Sequence, residues 1–335
     1  MTAPLWTPGA DRVEGSNMKR FMRFVHERFG AEAPDYPALY DWSNAHPDRF
    51  WTAVWEFCGI RGSGDLRPAY EHFERMPGCR FFPGTEINFA QNLLRFRDDR
   101  PALIARGEDG STRTLSHAEL HDEVRRFRAA LRAEGVVEGD RVAGFVPNRP
   151  EAVIAMLAAA SLGAIWSSCS PDFGINGVLD RFGQIAPKVL ITADGYFYGG
   201  KRFDCLDKVS GILAQLPSVQ RVVVFPYAGS SRAPSELPNA VAWEDYAKPT
   251  SELLSYTPGA FDRPQYILYS SGTTGVPKCI VHGQGGTLIQ HLKELVLHTD
   301  LKREDRIFYY TTCGWMMWNW LVSGLAVGAT VVLYD

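Results

Sequence analysis

Tyr269-Ser270-Ser271-Gly272-Thr273-Thr274-Gly275-Val276-Pro277-Lys278 is the stretch on which the reading of this chain turns. It follows a short apolar run, Tyr266–Tyr269, that reads as a strand. It is dense in hydroxyls and glycine and ends in a lysine. Glycines let backbone N–H groups approach an anion closely. Ser and Thr hydroxyls add donors, and Lys278 adds a point charge. Such a loop suits polyphosphate. It is not a Walker A loop, because Val276-Pro277 separates Gly275 from Lys278, and Pro277 opposes a helix starting there.

Outward from the loop the chain alternates strands and helices. Upstream, Ala102–Ala105 reads as a strand. Ser116-His117-Ala118-Glu119 is a capping-box signature opening a helix to about Glu134. Strands at Val142–Val146, Ala164–Cys169, Val189–Thr192 and Arg221–Phe225 are separated by helices at Glu151–Leu162, Val178–Ile185 and Asp204–Leu216. Residues 226–262 form a Pro/Ser-rich surface excursion. Downstream come a helix over Gly285–Leu297, a strand over Arg306–Thr311, a helix over Trp318–Leu325 and a strand over Thr330–Leu333. The pattern predicts an α/β fold with parallel-rich sheets covered by helices. Residues 1–90 differ. A helix is expected over Met18–Phe29, and a second, capped by Asp48, sets Trp51, Val54 and Trp55 on one face.

The 335 residues are 45% apolar and 22% charged, which is globular composition. With 35 basic and 38 acidic residues the formal net charge is −3, which speaks against a nucleic-acid partner. The six cysteines form no C-x-x-C pair and read as reduced, mostly buried thiols of a cytoplasmic protein. Met1–Gly15 has no apolar signal core. Cys313–Tyr334 carries no charge and is long enough to span a bilayer, but its glycines and polar residues favour buried structure, so no membrane partner is expected. His117 and His121 share a helix face without a third ligand, so no metal site is assigned. His282 lies near the loop and reads as a strand-end histidine.

The loop resembles the phosphate-binding signature of the adenylate-forming superfamily, which includes acyl-CoA synthetases, luciferases and peptide-synthetase adenylation domains. The likeness covers the chain from about residue 15. Asp35–Ser43 and His46–Trp51 are similar to the N-terminal extension of acetyl- and acetoacetyl-CoA synthetases. Gly163–Gly174 and Cys313–Trp320 are most similar to the acetoacetyl-CoA synthetase branch. The resemblance implies a ligase that converts acetoacetate and ATP to an acyl-adenylate, then passes the acyl group to CoA. It implies that Ser270, Ser271, Gly272, Thr273, Thr274, Gly275 and Lys278 bind the ATP phosphates, with Mg²⁺ accompanying ATP. Trp315, Met316, Met317 and Asn319 stand where the family lines its acyl pocket. Tyr198 and Lys201 stand where acetate-using relatives place two arginines on CoA phosphates, so Lys201 is the candidate CoA contact.

The resemblance divides the chain into an extension, 1–90, and a partial AMP-binding domain, 91–335. The family's adenine-contacting T-E motif, ribose aspartate, hinge and C-terminal lid with its catalytic lysine have no counterpart here. No catalytic residue is therefore assigned, and the chain is expected to be an N-terminal fragment, incomplete at the C-terminus and inactive alone. Acetate or propionate activation, a non-catalytic nucleotide-binding protein and a tail-anchored protein are the alternatives.

Overall fold

The computed structural model describes residues 5–270 and 275–335. Its centre is a seven-stranded sheet in the order Ala240–Ala242, Arg221–Phe225, Val189–Ala193, Arg141–Phe145, Ile165–Cys169, Pro264–Tyr269, Cys279–Gly283. Every neighbouring pair is parallel except the last, which is antiparallel. A four-stranded sheet runs Arg306–Phe308, Thr330–Tyr334, Pro101–Arg106, Thr112–Ser116; its first three strands are parallel and the fourth is antiparallel. The fold is α/β and parallel-rich, as the alternation predicts.

Burial explains the strand composition. All five residues of Val189–Ala193 are buried, as expected of a strand covered on both faces. The helix Pro150–Ser161 is buried at all twelve positions. It packs against the helix His117–Ala133 and against strands Arg141–Phe145 and Ile165–Cys169. A helix buried on every side, and apolar from the end of its first turn up to Ser161, belongs in a core. Among the described residues, no helix is long and apolar enough to cross a membrane. The capping box is complete: Ser116 Oγ accepts from Glu119 N at 3.1 Å, and Glu119 Oε2 accepts from Ser116 N at 2.7 Å.

The extension packs helices Asn17–Phe29, Tyr36–Ala45 and Pro47–Cys58 into the same continuous core as the main body. Phe21 is its fully buried centre, with the rings of Phe50 and Phe57 edge-on at 6.1 and 5.2 Å. Asp48 does not cap the third helix. Pro47 takes the first turn, where a missing N–H costs nothing, and His46 is the cap residue. Residues 226–262 are more than a surface excursion, because Ala240–Ala242 adds an edge strand and Trp243 is buried against Phe127. The helix after the loop runs Gln284–Leu292 and then widens into a π turn, Lys293–His298. The pairing changes beside the loop. Cys279–Gly283 returns antiparallel to Pro264–Tyr269, so the loop is the tip of a hairpin.

Candidate active site

Strands Arg141–Phe145, Ile165–Cys169 and Pro264–Tyr269 end on one side of the large sheet, where open α/β sheets bind ligands. There the hairpin stem closes on Ser270 and Lys278. Ser270 N donates to Lys278 O at 3.0 Å, and Lys278 N donates to Ser270 Oγ at 3.1 Å. Gly275 has φ +141°, a conformation that side chains disfavour. Ser271, Gly272, Thr273 and Thr274 lie outside the described residues.

Helix Ile175–Ile185 supports the stem. Gln184 Nε2 donates to Pro277 O at 2.8 Å, and Cys279 Sγ lies 3.5 Å from Gln184 Oε1. One turn earlier, the Arg181 guanidinium sits 4.6 Å from the Phe173 ring centre and 5.7 Å from that of Tyr269. Such stacking holds a cation beside the loop without neutralising it. Ser167 Oγ donates to Ile267 O at 2.7 Å and meets Tyr269 Oη at 2.9 Å. Burial pushes the Tyr269 phenol up, so it stays protonated and can donate.

The acyl-pocket candidates lie on and just before the helix Met316–Val322. Trp315 and Met316 face outward, 68% and 47% exposed, and Met317 is half-buried. Asn319 is on the inner face at 1% exposure, its Nδ2 donating to Trp315 O at 3.5 Å. Its Oδ1 has no partner among the described residues. Trp318 is fully buried and donates Nε1 to Asn148 Oδ1 at 2.9 Å. The preceding turn is tied to the large sheet, since Ser168 Oγ donates to Cys313 O at 2.6 Å. The candidate acyl segment and the hairpin thus hang from adjacent strands, Ile165–Cys169 and Pro264–Tyr269.

A cleft between the two sheets is lined by residues including Glu108, Asn148, Asp172, Tyr198 and Thr312. Its volume is about 90 Å³, below the roughly 300–1,000 Å³ of a ligand pocket. Burial raises the Asp335 carboxyl to about 6, and its Oδ1 accepts from Asn148 N at 3.3 Å. Tyr198 and Lys201 face each other across a hairpin turned by Gly199 and Gly200, with φ +59° and +73°. Two successive left-handed residues define the tight turn that glycine favours. Glu108 already occupies that turn, its carboxylate oxygens accepting from Gly199 N at 3.3 Å and Gly200 N at 3.0 Å. A far larger cavity, about 1030 Å³, is lined only by extension residues such as Arg28, Arg49 and Tyr70, remote in sequence from the loop.

His117 and His282 lie on elements of the fold away from any cluster of ligands among the described residues. His117 is buried with Nε2 3.3 Å from Gly328 O. His282 lies within the returning strand of the hairpin. No group of three or more His, Cys, Asp or Glu suited to a metal occurs among the described residues. Gln184, Arg181, Asn148 and Glu108 carry no motif. Only strand pairing and side-chain contact reveal them.

This geometry has counterparts. The AMP-binding enzyme family matches residues 89–335, and the chain belongs to that family. It is 52% identical over 334 residues to the acetoacetyl-coenzyme A synthetase of Rhizobium meliloti (strain 1021), covering 99% of this chain and 51% of the relative. Identity to the acetoacetyl-CoA synthetase of Danio rerio is 46% over 341 residues, 99% of this chain and 50% of the relative. A solved acetoacetyl-CoA synthetase from Streptomyces lividans superposes with a TM-score of 0.94 at 45% identity, over 100% of this chain and 51% of that one. The chain spans about half the length of the curated relatives it matches.

Proposed function

We propose that this chain forms the phosphate-gripping and acyl-facing walls of an acetoacetate–CoA ligase. Residues 1–90 are its extension and 91–335 part of its AMP-binding domain. The observation that carries this reading is the hairpin stem, which sets Ser270 against Lys278 one strand away from the anchored acyl segment.

In the first half-reaction an acetoacetate carboxylate oxygen bonds to the α-phosphorus of ATP. The bond from that phosphorus to the bridging oxygen breaks, giving acetoacetyl-AMP and pyrophosphate. Little covalent work falls to the protein; positioning and charge stabilisation dominate. Ser270, Lys278 and the intervening Ser271, Gly272, Thr273, Thr274 and Gly275 hold the leaving phosphates. Trp315, Met316 and Met317 give the short acyl chain an apolar, adaptable wall, and Asn319 orders it from beneath. In the second half-reaction the CoA thiol attacks the acyl carbon and AMP leaves, with Lys201 holding a CoA phosphate. Mg²⁺ implied by ATP finds no carboxylate cluster among the described residues, and no step here relies on it. The partners are small molecules, and a supply of ATP and CoA makes the cytoplasm the setting.

Acetoacetate-dependent exchange of labelled pyrophosphate into ATP tests this reading, using protein expressed from the whole reading frame. Exchange is expected with acetoacetate, and Lys278→Ala should reduce it roughly a hundredfold, as loss of a charge-stabilising donor does. Exchange supported by acetate or propionate alone refutes the substrate. Nucleotide binding without exchange for any short acid refutes the ligase.

A further inference from the structure

The strand that leaves the phosphate loop, Cys279–Gly283, runs directly into the helix Gln284–Leu292. That helix carries His291, which is 7% exposed and sits in the core rather than at the site. Its Nδ1 lies 2.8 Å from Ser323 Oγ. Ser323 Oγ in turn donates to Asn319 O at 3.0 Å, one turn back along the acyl segment. This is the common back-bond of a helical serine, and it commits the only hydroxyl hydrogen. With that hydrogen given to Asn319 O, the lone pairs of Ser323 are left to accept from His291 Nδ1 in its Nδ1–H tautomer. Asn319 continues the path, since its Nδ2 donates to Trp315 O.

We propose that His291 is a positioning residue for the acyl pocket. Its neutral imidazole donates through Nδ1 to Ser323, whose hydroxyl holds the Asn319 main-chain carbonyl, and so anchors the helical turn from which the Asn319 side chain projects. The proposal rests on the reading of the acyl segment given above. It deepens that reading by linking the acyl wall to the element that leaves the phosphate loop. Burial lowers the His291 pKa to about 3, so the donor state holds across the working pH range. The neighbouring charge is that of His282, which acts in the same direction.

Two experiments test it. In protein from the whole reading frame, His291→Leu removes the donor, and His291→Asn keeps an amide nitrogen where Nδ1 stands. His291→Leu should raise KM for the acid about tenfold, the scale of one lost buried hydrogen bond, with KM for ATP nearly unchanged. His291→Asn should restore most of the loss. Ser323→Ala should reproduce the defect where the leucine variant does not fold. Equal shifts in both KM values, or a fall in stability with neither KM changed, overturn the proposal. The acid is whichever one the wild type activates, so a wrong substrate assignment is seen separately, in the wild type.

The second experiment needs no activity. Long-range proton–nitrogen correlation on nitrogen-15 histidine-labelled protein should show the His291 resonance, identified by its loss in His291→Asn, as the Nδ1–H tautomer from pH 5 to 8. A proton on Nε2, or titration within that range, refutes the donor assignment.

Discussion

Gln184→Ala tests whether the hairpin proposed to hold phosphate is supported from below. The wild-type amide donates to Pro277 O at 2.8 Å and faces the Cys279 thiol at 3.5 Å. The thiol contact is long, so the amide bond carries the effect. Gln184 is largely exposed, and water replaces part of what is lost, leaving a net of about 1 kcal/mol. Cys279–Gly283 is an edge strand with one neighbour, so the loss is not shared across the sheet. The stem should open about fivefold more often, the ratio that ~1 kcal/mol produces. Hydrogen exchange reads this directly. The amides of Ser270 and of Cys279–Gly283 should exchange about fivefold faster, and those of the central strand Val189–Ala193 at the wild-type rate. Unchanged stem exchange refutes the support. Equal acceleration in both strands also refutes it, since the effect is then global.

Two other outcomes follow from packing and charge. A Cβ at Gly285 would fall 2.2 Å from the Phe261 ring, which is wedged against Trp55 and Phe82. Gly285→Ala should therefore cost roughly 1–3 kcal/mol by overpacking, measured as a lower urea midpoint at an unchanged slope. His121 has a buried Nε2 without a partner among the described residues, and burial lowers its pKa to about 4. Because the folded value lies below the unfolded one, its contribution is complete above the ordinary histidine pKa. It is lost as pH falls toward 4. His121→Leu should flatten the decline of stability between pH 6.5 and 4, and an unchanged pH profile would count against that assignment.

The large-scale order was legible because burial leaves a strong imprint on composition. Val189–Ala193 and Pro150–Ser161 are buried throughout and almost wholly apolar, Thr192, Glu151 and Ser161 excepted, and the Ser116–Glu119 capping box is a local device visible in four residues. The hydroxyls, glycines and lysine of one loop carry the proposed phosphate role in their residue types alone. What stayed hidden was pairing. Nothing in Cys279–Gly283 marks it as antiparallel to its neighbour, since an edge strand with exposed Ile280 and Val281 has no two-sided burial pattern. Ala240–Ala242, three residues long, was lost in a polar stretch. The supporting side chains were hidden for the same reason. Gln184 meets Pro277 across 93 residues, and Asn148 meets Trp318 across 170. Asn319 shows the limit at the site: residue type suggested a hydrogen-bonding group, but only the fold reveals that it is buried on the inner face of its helix.

The carboxylate of Glu108 in the Gly199–Gly200 turn has a consequence for ligand exchange. The turn is not an empty cradle; it carries a tethered competitor. A phosphate brought to Lys201 either contacts that side chain alone or evicts Glu108 and takes over its two amides. Eviction swaps one anion for another. The net charge of the turn then changes less than in simple capture, and salt weakens the ligand and the resident carboxylate together. A phosphate that took the two amides would therefore bind more weakly than to an empty turn, because Glu108 stays on the chain and competes for them.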